Sequence, residues 1–305
     1  MELSQLEVFL AVARERRFSR AAEKLFRTQS AVSQTIRKLE DELGEALLDR
    51  SSREGVLTDA GKVLYEYAEK LINLRSEAAE SLTDLRELQK GKLIIAANEF
   101  TVLYLLPVLA EFRRLHPMIT ITVERALGSH IPDDVLRYAT EFGVLSYEPQ
   151  EKSLHSVVVY LDELVFVVPP KHPLATERQL SIRQLGVESF VAHIVSSPYR
   201  EKVIQLFKTH KTPLHMDLEL PTLQAIKQFV ASGNGVALVP GISVESEVAR
   251  GELVRIPVRE LQLKRKLRLI YRKDANLSHA ARAFLKVAEA VAVDRKGRYR
   301  FQREN

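Results

Sequence analysis

From Thr58-Asp59 to about Gln89 the sequence carries no proline and, after Gly61, no glycine. Some thirty residues of this kind predict one helix about 45 Å long. A helix of that length cannot be buried in a small core, so it divides the chain. Leu64, Leu71, Ala78 and Leu85 recur at one heptad position, and Tyr67, Leu74, Ser81 and Leu88 at the next. Such a seam needs a partner, and a second copy of the chain is the predicted one, with packing against its own domain as the alternative. The chain is thereby divided into a segment 1–58, a linker and dimerisation helix over 59–90, and a larger remainder. With 305 residues, two or three modules are expected.

Composition narrows the chemistry. There is no cysteine, which excludes disulfides, thiol nucleophiles and cysteine metal sites. No apolar run approaches the roughly 20 residues that span a bilayer, and no basic-then-apolar leader pattern opens the sequence. A soluble, cytoplasmic protein without membrane contact is expected. Over 14–38, eight bases (Arg14, Arg16, Arg17, Arg20, Lys24, Arg27, Arg37, Lys38) meet two acids (Glu15, Glu23). That local basic surface points to a polyanion. A second basic cluster, from Arg295 to Arg303, reads as a solvated C-terminal tail over 294–305, with a nucleic-acid contact as the alternative.

The first segment shows three short helical patterns. Leu3, Leu6, Phe9, Leu10 and Ala13 line one face of the first. Ser19 stands where an N-cap would precede Ala21, Ala22 and Leu25, and Thr28 can cap a third helix whose inner face is Val32, Ile36, Leu39 and Leu43. A helix, a tight turn and a helix within about 20 residues (18–37) fit a helix-turn-helix, whose second helix reads the major groove; an ordinary three-helix bundle is the alternative. Thr28, Gln29, Ser30, Ser33, Gln34 and Arg37 would then face double-stranded DNA, Gln suiting adenine and Arg suiting guanine or phosphate. The acids Glu40, Asp41, Glu42 and Glu45 would lie away from the duplex. After Gly44, two short apolar pieces flank a basic turn, a wing with Arg50 and Arg53 on the backbone.

Phe9, Val12-Ala13, Phe18-Ser19, Ala21-Ala22, Leu25, the run 28–33 (TQSAVS), Ile36, Leu39-Glu40, Leu43-Gly44, Arg50 and 57–61 (LTDAG) resemble, in order and spacing, the signature of LysR-type transcriptional regulators. Leu48 stands where the family usually has Phe, and Ser30 where many members carry Pro. The resemblance implies a multidomain chain: an all-α winged helix-turn-helix with a long linker helix, then a two-lobed α/β effector domain resembling type 2 periplasmic binding proteins. It implies dimers or tetramers, a small-molecule effector, and RNA polymerase as partner if the protein activates. It implies no cofactor.

The remaining sequence agrees with that outline. An apolar run at Lys92–Ala97, then strands at 119–123, 142–145, 157–160 and 164–168, alternate with helical patterns, as in an α/β sheet. A strand near Phe190, a helix from Pro198 to Thr209, a strand near Leu218, a helix at 222–232 and strands at 236–239 and 267–271 follow, with a last helix at 278–291. The effector domain is read as 91–293, with one lobe from 92–163 and 267–293 and the other from 164–266. Ligands in such sheets bind beyond the carboxyl ends of the strands. The loops there supply Asn98, Phe100 and Thr101, then Ser129 and His130, then Ser146; the other lobe supplies His193, Ser196, Ser197, Arg200 and Thr222. Hydroxyls and an Arg at helix starts suit a small carboxylate or phosphate. Phe100 could instead plug the cleft, which would leave a constitutive or architectural DNA-binding repressor. Enzyme signatures are absent: there is no HExxH, Walker loop, GxGxxG or nucleophile elbow, and no metal pair among the eight histidines.

Overall fold

A computed structural model describes residues 1–49, 55–86, 91–195, 197–273, 276–295 and 297–303, the side chains of 81–86 excepted. The head comprises α1 (Leu3–Glu15), α2 (Phe18–Lys24) and α3 (Gln29–Leu43), followed by β1 (Leu48–Asp49) and β2 (Val56–Leu57), which pair antiparallel as a hairpin. Val32, Ile36 and Leu39 pack with Leu6, Phe9, Val12, Ala21 and Ala22 in one buried cluster. Leu43 does not join them: the helix stops at Gly44, which takes φ 72°, and Leu43 is left 40 % exposed. Thr28 caps α3 as the sequence predicts, accepting from the Ala31 N–H at 3.2 Å. Ser19 does not cap α2. The extended residue before that helix is Arg17, so Ser19 falls inside its first turn.

The acids closing α3 have structural work. Glu40 is buried, and its Oε1 accepts from the N–H groups of Leu47 and Leu48 at 2.9 and 3.3 Å, which anchors the wing strand. Glu42 accepts from Gln5 Nε2 at 3.1 Å and pairs with the N-terminal ammonium. A Cβ on Gly61 would lie 2.1 Å from the Leu47 carbonyl oxygen, so only glycine lets the next helix approach the wing.

That helix, α4 (Asp59–Arg86), runs 28 residues, about 42 Å. Ala68 is buried in the head, and Leu64, Tyr65 and Ile72 pack beside it. Leu64 therefore packs, half-buried, against its own domain, the alternative that the sequence allowed. Tyr67, Leu71, Leu74 and Ala78 are exposed along the helix, together with Val63. Leu88 and the side chain of Leu85 lie outside the described residues.

Beyond it come β3 (Gly91–Ala97), α5 (Val102–Leu115), β4 (Ile119–Arg125), α6 (Ile131–Leu136) and β5 (Phe142–Leu145), with β3 parallel to both β4 and β5. The strands expected at 157–160 and 164–168 are one strand, β6 (Leu154–Val168), antiparallel to β11 (Lys264–Arg272). The apparent break at Asp162 is filled by its cross-strand partner Arg265. Between these two strands lie β7 (Ser189–His193), α7 (Pro198–Thr209), β8 (His215–Leu220), α8 (Leu223–Ala231), β9 (Ala237–Pro240), α9 (Glu245–Ala249) and β10 (Val254–Ile256). β7 and β8 form a small parallel sheet, while β9 and β10 pair with the far half of β6. One buried cluster uses Leu93 to Tyr160 and Leu267 to Val291; the others on the far side use Leu164 to Leu261. The lobes are thus joined through β6, which pairs with β11 beside one core and continues into the next, where it pairs with β9 and β10.

The chain ends in α10 (His279–Arg295) and β12 (Tyr299–Arg303). The predicted solvated tail is corrected here. β12 pairs antiparallel with β6, the Tyr299 ring meets Tyr160 edge-on at 5.0 Å, and Arg298 bonds Glu163 at 3.3 Å and Glu245 at 3.4 Å. Tyr299 and Phe301 pack, half-buried, against the neighbouring core, while Arg298 finds the carboxylates and Arg300 donates to the Gly297 and Tyr299 carbonyls.

The effector domain is also tied to α4. Arg272 is buried, forks onto Glu77 at 2.9 and 3.0 Å, donates to the Val135 carbonyl at 2.6 Å and lies 3.8 Å from the Tyr138 ring centre. Burial, with the nearby charges of Glu77 and Glu80, pushes the Glu141 carboxyl up to about 7. Between about 4.5 and about 7 the folded chain holds a proton that the unfolded chain has released. For this group stability is fully present below about 4.5 and declines as pH rises through about 7. Glu141→Gln is expected to raise stability at pH 8 by on the order of 2 kcal/mol and to change it little at pH 4; equal unfolding curves at pH 8 would contradict this.

Candidate functional site

The outer face of α3 carries Gln29, Ser30, Gln34 and Arg37 exposed and Ser33 half-buried. Thr28 Oγ1 and Ser30 Oγ share a hydrogen bond at 3.0 Å, so the cap and the first reading position are held together. Gln29, Ser33 and Arg37 line a shallow hollow of 430 Å³ with Arg17, Ser19 and Asp49. Arg17 and Ser19 were not singled out as reading residues, although Arg17 lay inside the basic cluster. Arg50 and Arg53 lie outside the described residues. The hollow presents two cations, Arg17 and Arg37, and several short polar groups beside one exposed helix face, with the carboxylates of Glu40 and Asp49 at its wing side; cations and short polar groups are what phosphate and base-edge contacts require. Gln29→Ala is expected to relax base preference at one position by about 1–3 kcal/mol, measured by binding to a set of single-substituted duplexes. Unchanged selectivity would remove Gln29 from the reading face.

A second cavity of 660 Å³ lies between the two lobes. Asn98 and Phe100 line it from the loop after β3. The Phe100 N–H donates to Asn98 Oδ1 at 2.9 Å, and the Phe100 ring meets His193 edge-on at 4.9 Å. Ser129 and Ser146 line it as predicted, as do His193, Ser197 and Arg200. Ser197 caps α7 through the Arg200 N–H at 3.2 Å. The Arg200 guanidinium donates to the His193 carbonyl at 3.0 Å and pairs with Glu219, which fixes it across the wall of the cavity.

Three predicted residues do not line this cavity. Thr101 is fully buried, and its hydroxyl donates to the Val144 carbonyl at 3.1 Å; it holds the loop from behind. His130 is exposed just before α6. Thr222 caps α8 through the Ala225 N–H at 3.2 Å. Ser196 lies outside the described residues.

The cavity also contains groups the sequence did not single out. Tyr199 donates to the Ser146 carbonyl at 2.9 Å, from one lobe to the other. Glu99 faces His193 from the opposite lobe. Arg265 is 3 % exposed, pairs with Asp162 at 2.7 Å, and lies 5.2 Å from the Tyr199 ring centre. Burial lowers the Arg265 guanidinium and raises the Asp162 carboxyl, and each charge is retained against desolvation by the other. Arg265 Nε has no protein partner. The only sequence signal for Arg265 was a base between two others, Lys264 and Lys266, on a strand, where alternation turns it inward. Among the described residues no cluster of His, Cys, Asp or Glu could hold a metal ion.

A winged helix-turn-helix head, a long helix and a two-lobed α/β module with a cavity between its lobes define a DNA-binding regulator with an effector-binding domain. Comparison with known proteins places it. Residues 3–62 match the bacterial regulatory helix-turn-helix protein, lysR family, and residues 86–292 match the LysR substrate binding domain. The chain belongs to the LysR family of transcriptional regulators. It is 32% identical over 285 residues to a RuBisCO operon transcriptional regulator from Allochromatium vinosum, covering 93% of this chain and 94% of that one. A full-length OxyR variant from Pseudomonas aeruginosa shares the fold, with a TM-score of 0.70 at 23% identity over 96% of this chain and 95% of that one. The CcmR regulatory domain from Synechocystis, solved in complex with 2-PG, is 28% identical over 67% of this chain and 97% of its own, with a TM-score of 0.60. No helix among the described residues is long and apolar enough to cross a membrane.

Proposed function

We propose that the chain is a cytoplasmic regulator, not an enzyme, that reads double-stranded DNA with α3 and the wing and senses a small anionic acid between its lobes. The residues proposed for DNA are Thr28, Gln29, Ser30, Ser33, Gln34 and Arg37, with Arg50 and Arg53 on the backbone. Asn98, Phe100, Ser129, Ser146, His193, Ser197 and Arg200 are proposed to meet the effector, joined by Tyr199 and Arg265. The observation that carries the anionic reading is Arg265: a guanidinium that lines a 660 Å³ cavity and whose Nε, itself buried, has no protein partner. A guanidinium kept out of water attracts carboxylate or phosphate oxygens strongly. The complex of the Synechocystis CcmR domain with 2-PG supports the same ligand class.

Exposed Tyr67, Leu71 and Leu74 on α4 support self-association to a dimer, with a tetramer as the larger assembly, and two heads then address two half-sites. RNA polymerase is the proposed partner where the regulator activates.

In thermal unfolding, millimolar 2-PG should raise the transition of the full chain, by about 2.7 kcal/mol at a hundredfold excess over Kd, while glycerol should not. No shift with any small anion would contradict the sensing role. Leu71→Asp should yield monomers in sedimentation; an unaltered oligomer would show that this row is not the interface.

A further inference from the structure

Glu99 lies in the loop between β3 and α5, in one lobe, yet its carboxylate is bound by the other. Glu99 Oε2 accepts from the Leu223 N–H at 3.2 Å, in the first turn of the nine-residue helix α8. Glu99 Oε1 is in direct contact with His193 Nε2. The His193 Nδ1 accepts from the Val195 N–H at 3.0 Å, which leaves Nε2 as the ring's remaining polar atom; it is buried, touches Glu99 Oε1 and completes no hydrogen bond. His193 is nine-tenths buried, and the Phe100 ring seals one edge while packing into the core cluster that contains Leu223 and Val191. The N–H of Leu223 at the N-terminus of α8 and the buried, unpartnered Nε2 of His193 converge on one point and make a cradle for a carboxylate or phosphate. The protein's own carboxylate fills it.

We propose that Glu99 is an internal stand-in for the effector, latching the lobes together until an external anion displaces it. This rests on the anion-sensing reading above. Glu99 and Arg265 line the same cavity, so the displaced side chain and the incoming ligand compete for one set of donors. A monoanion that takes the cradle only exchanges one carboxylate for another. A ligand with a second anionic group also reaches a guanidinium that Glu99 does not use. The geometry therefore selects small dianionic acids, such as a diacid or a phosphorylated acid, over monoanions. Displacement frees the loop that carries Phe100, and the latch between lobes opens.

The test is calorimetric titration of the full chain with 2-PG and with inorganic phosphate, for the wild type, Glu99→Gln and Glu99→Asp. Glutamine removes the charge; aspartate keeps it but is one methylene too short to reach Leu223. The latch predicts binding of 2-PG at least tenfold tighter in Glu99→Gln and several-fold tighter in Glu99→Asp. A gain in Glu99→Gln with Glu99→Asp equal to wild type would mean simple charge repulsion and overturn the latch. Unchanged or weaker binding in both variants would overturn it as well. If none of the three proteins bound either anion, the sensing reading beneath it would itself fail, which separates the two claims.

Discussion

One unbroken helix holds the molecule together. The first half of α4 completes the core of the head through Ala68, and its second half is gripped by the effector domain through the Arg272–Glu77 fork. Asn73 Nδ2 adds a bond to the Arg137 carbonyl at 3.2 Å, and Glu69 is shared between Arg14 of the head and Arg137 of the effector domain at 3.1 and 3.8 Å. A long helix with no internal glycine or proline beyond Gly61 does not bend easily. A displacement of the effector domain therefore has a stiff element through which to reach the DNA-reading face. What a ligand must supply is a difference in affinity between two arrangements of these parts.

The cavity follows from a second constraint, the shared ladder of β6 and β11. Because β6 runs from one lobe into the other, with β11 paired to it up to Glu163, the lobes stay connected at the base of the cavity while loops and helix starts converge above it. The buried Arg265–Asp162 pair sits on this ladder, at directly opposed positions. Replacing such a pair with apolar residues often costs nothing in stability, so its presence points toward a use for the charge. A guanidinium already desolvated, with one N–H group unpaired, is prepared for an anion without further loss of hydration.

Much of this was legible from the residues. The cap at Thr28, the span of α4, and the helix starting at Pro198 all follow from local chemistry that the sequence displays directly. The helix-turn-helix was readable because its inner face repeats at helical spacing and its outer face is short, polar and basic. What was not legible depended on partners far away in the chain. Asp162 looks like a break between two strands until Arg265, 103 positions later, neutralises it. The basic residues from 298 to 303 look solvated until Tyr299 finds Tyr104 and Tyr160 and Arg298 finds Glu163 and Glu245. Thr101 and Glu99 are two residues apart in one loop, and only the fold decides that the first faces the core and the second faces the cavity. The acids after Leu39 were the reverse case: the sequence offered for them only a place away from the duplex, and Glu40 proved to be the anchor of the wing.

The central claim is that anion binding between the lobes and DNA binding by α3 are coupled through α4. Reciprocal titration tests it most directly: the affinity of the full chain for the duplex flanking its own gene, with and without saturating 2-PG, and its affinity for 2-PG, with and without that duplex. The account predicts that both affinities change by the same factor, about five-fold or more. Independent affinities, each unaffected by the other ligand while both ligands bind, would contradict it.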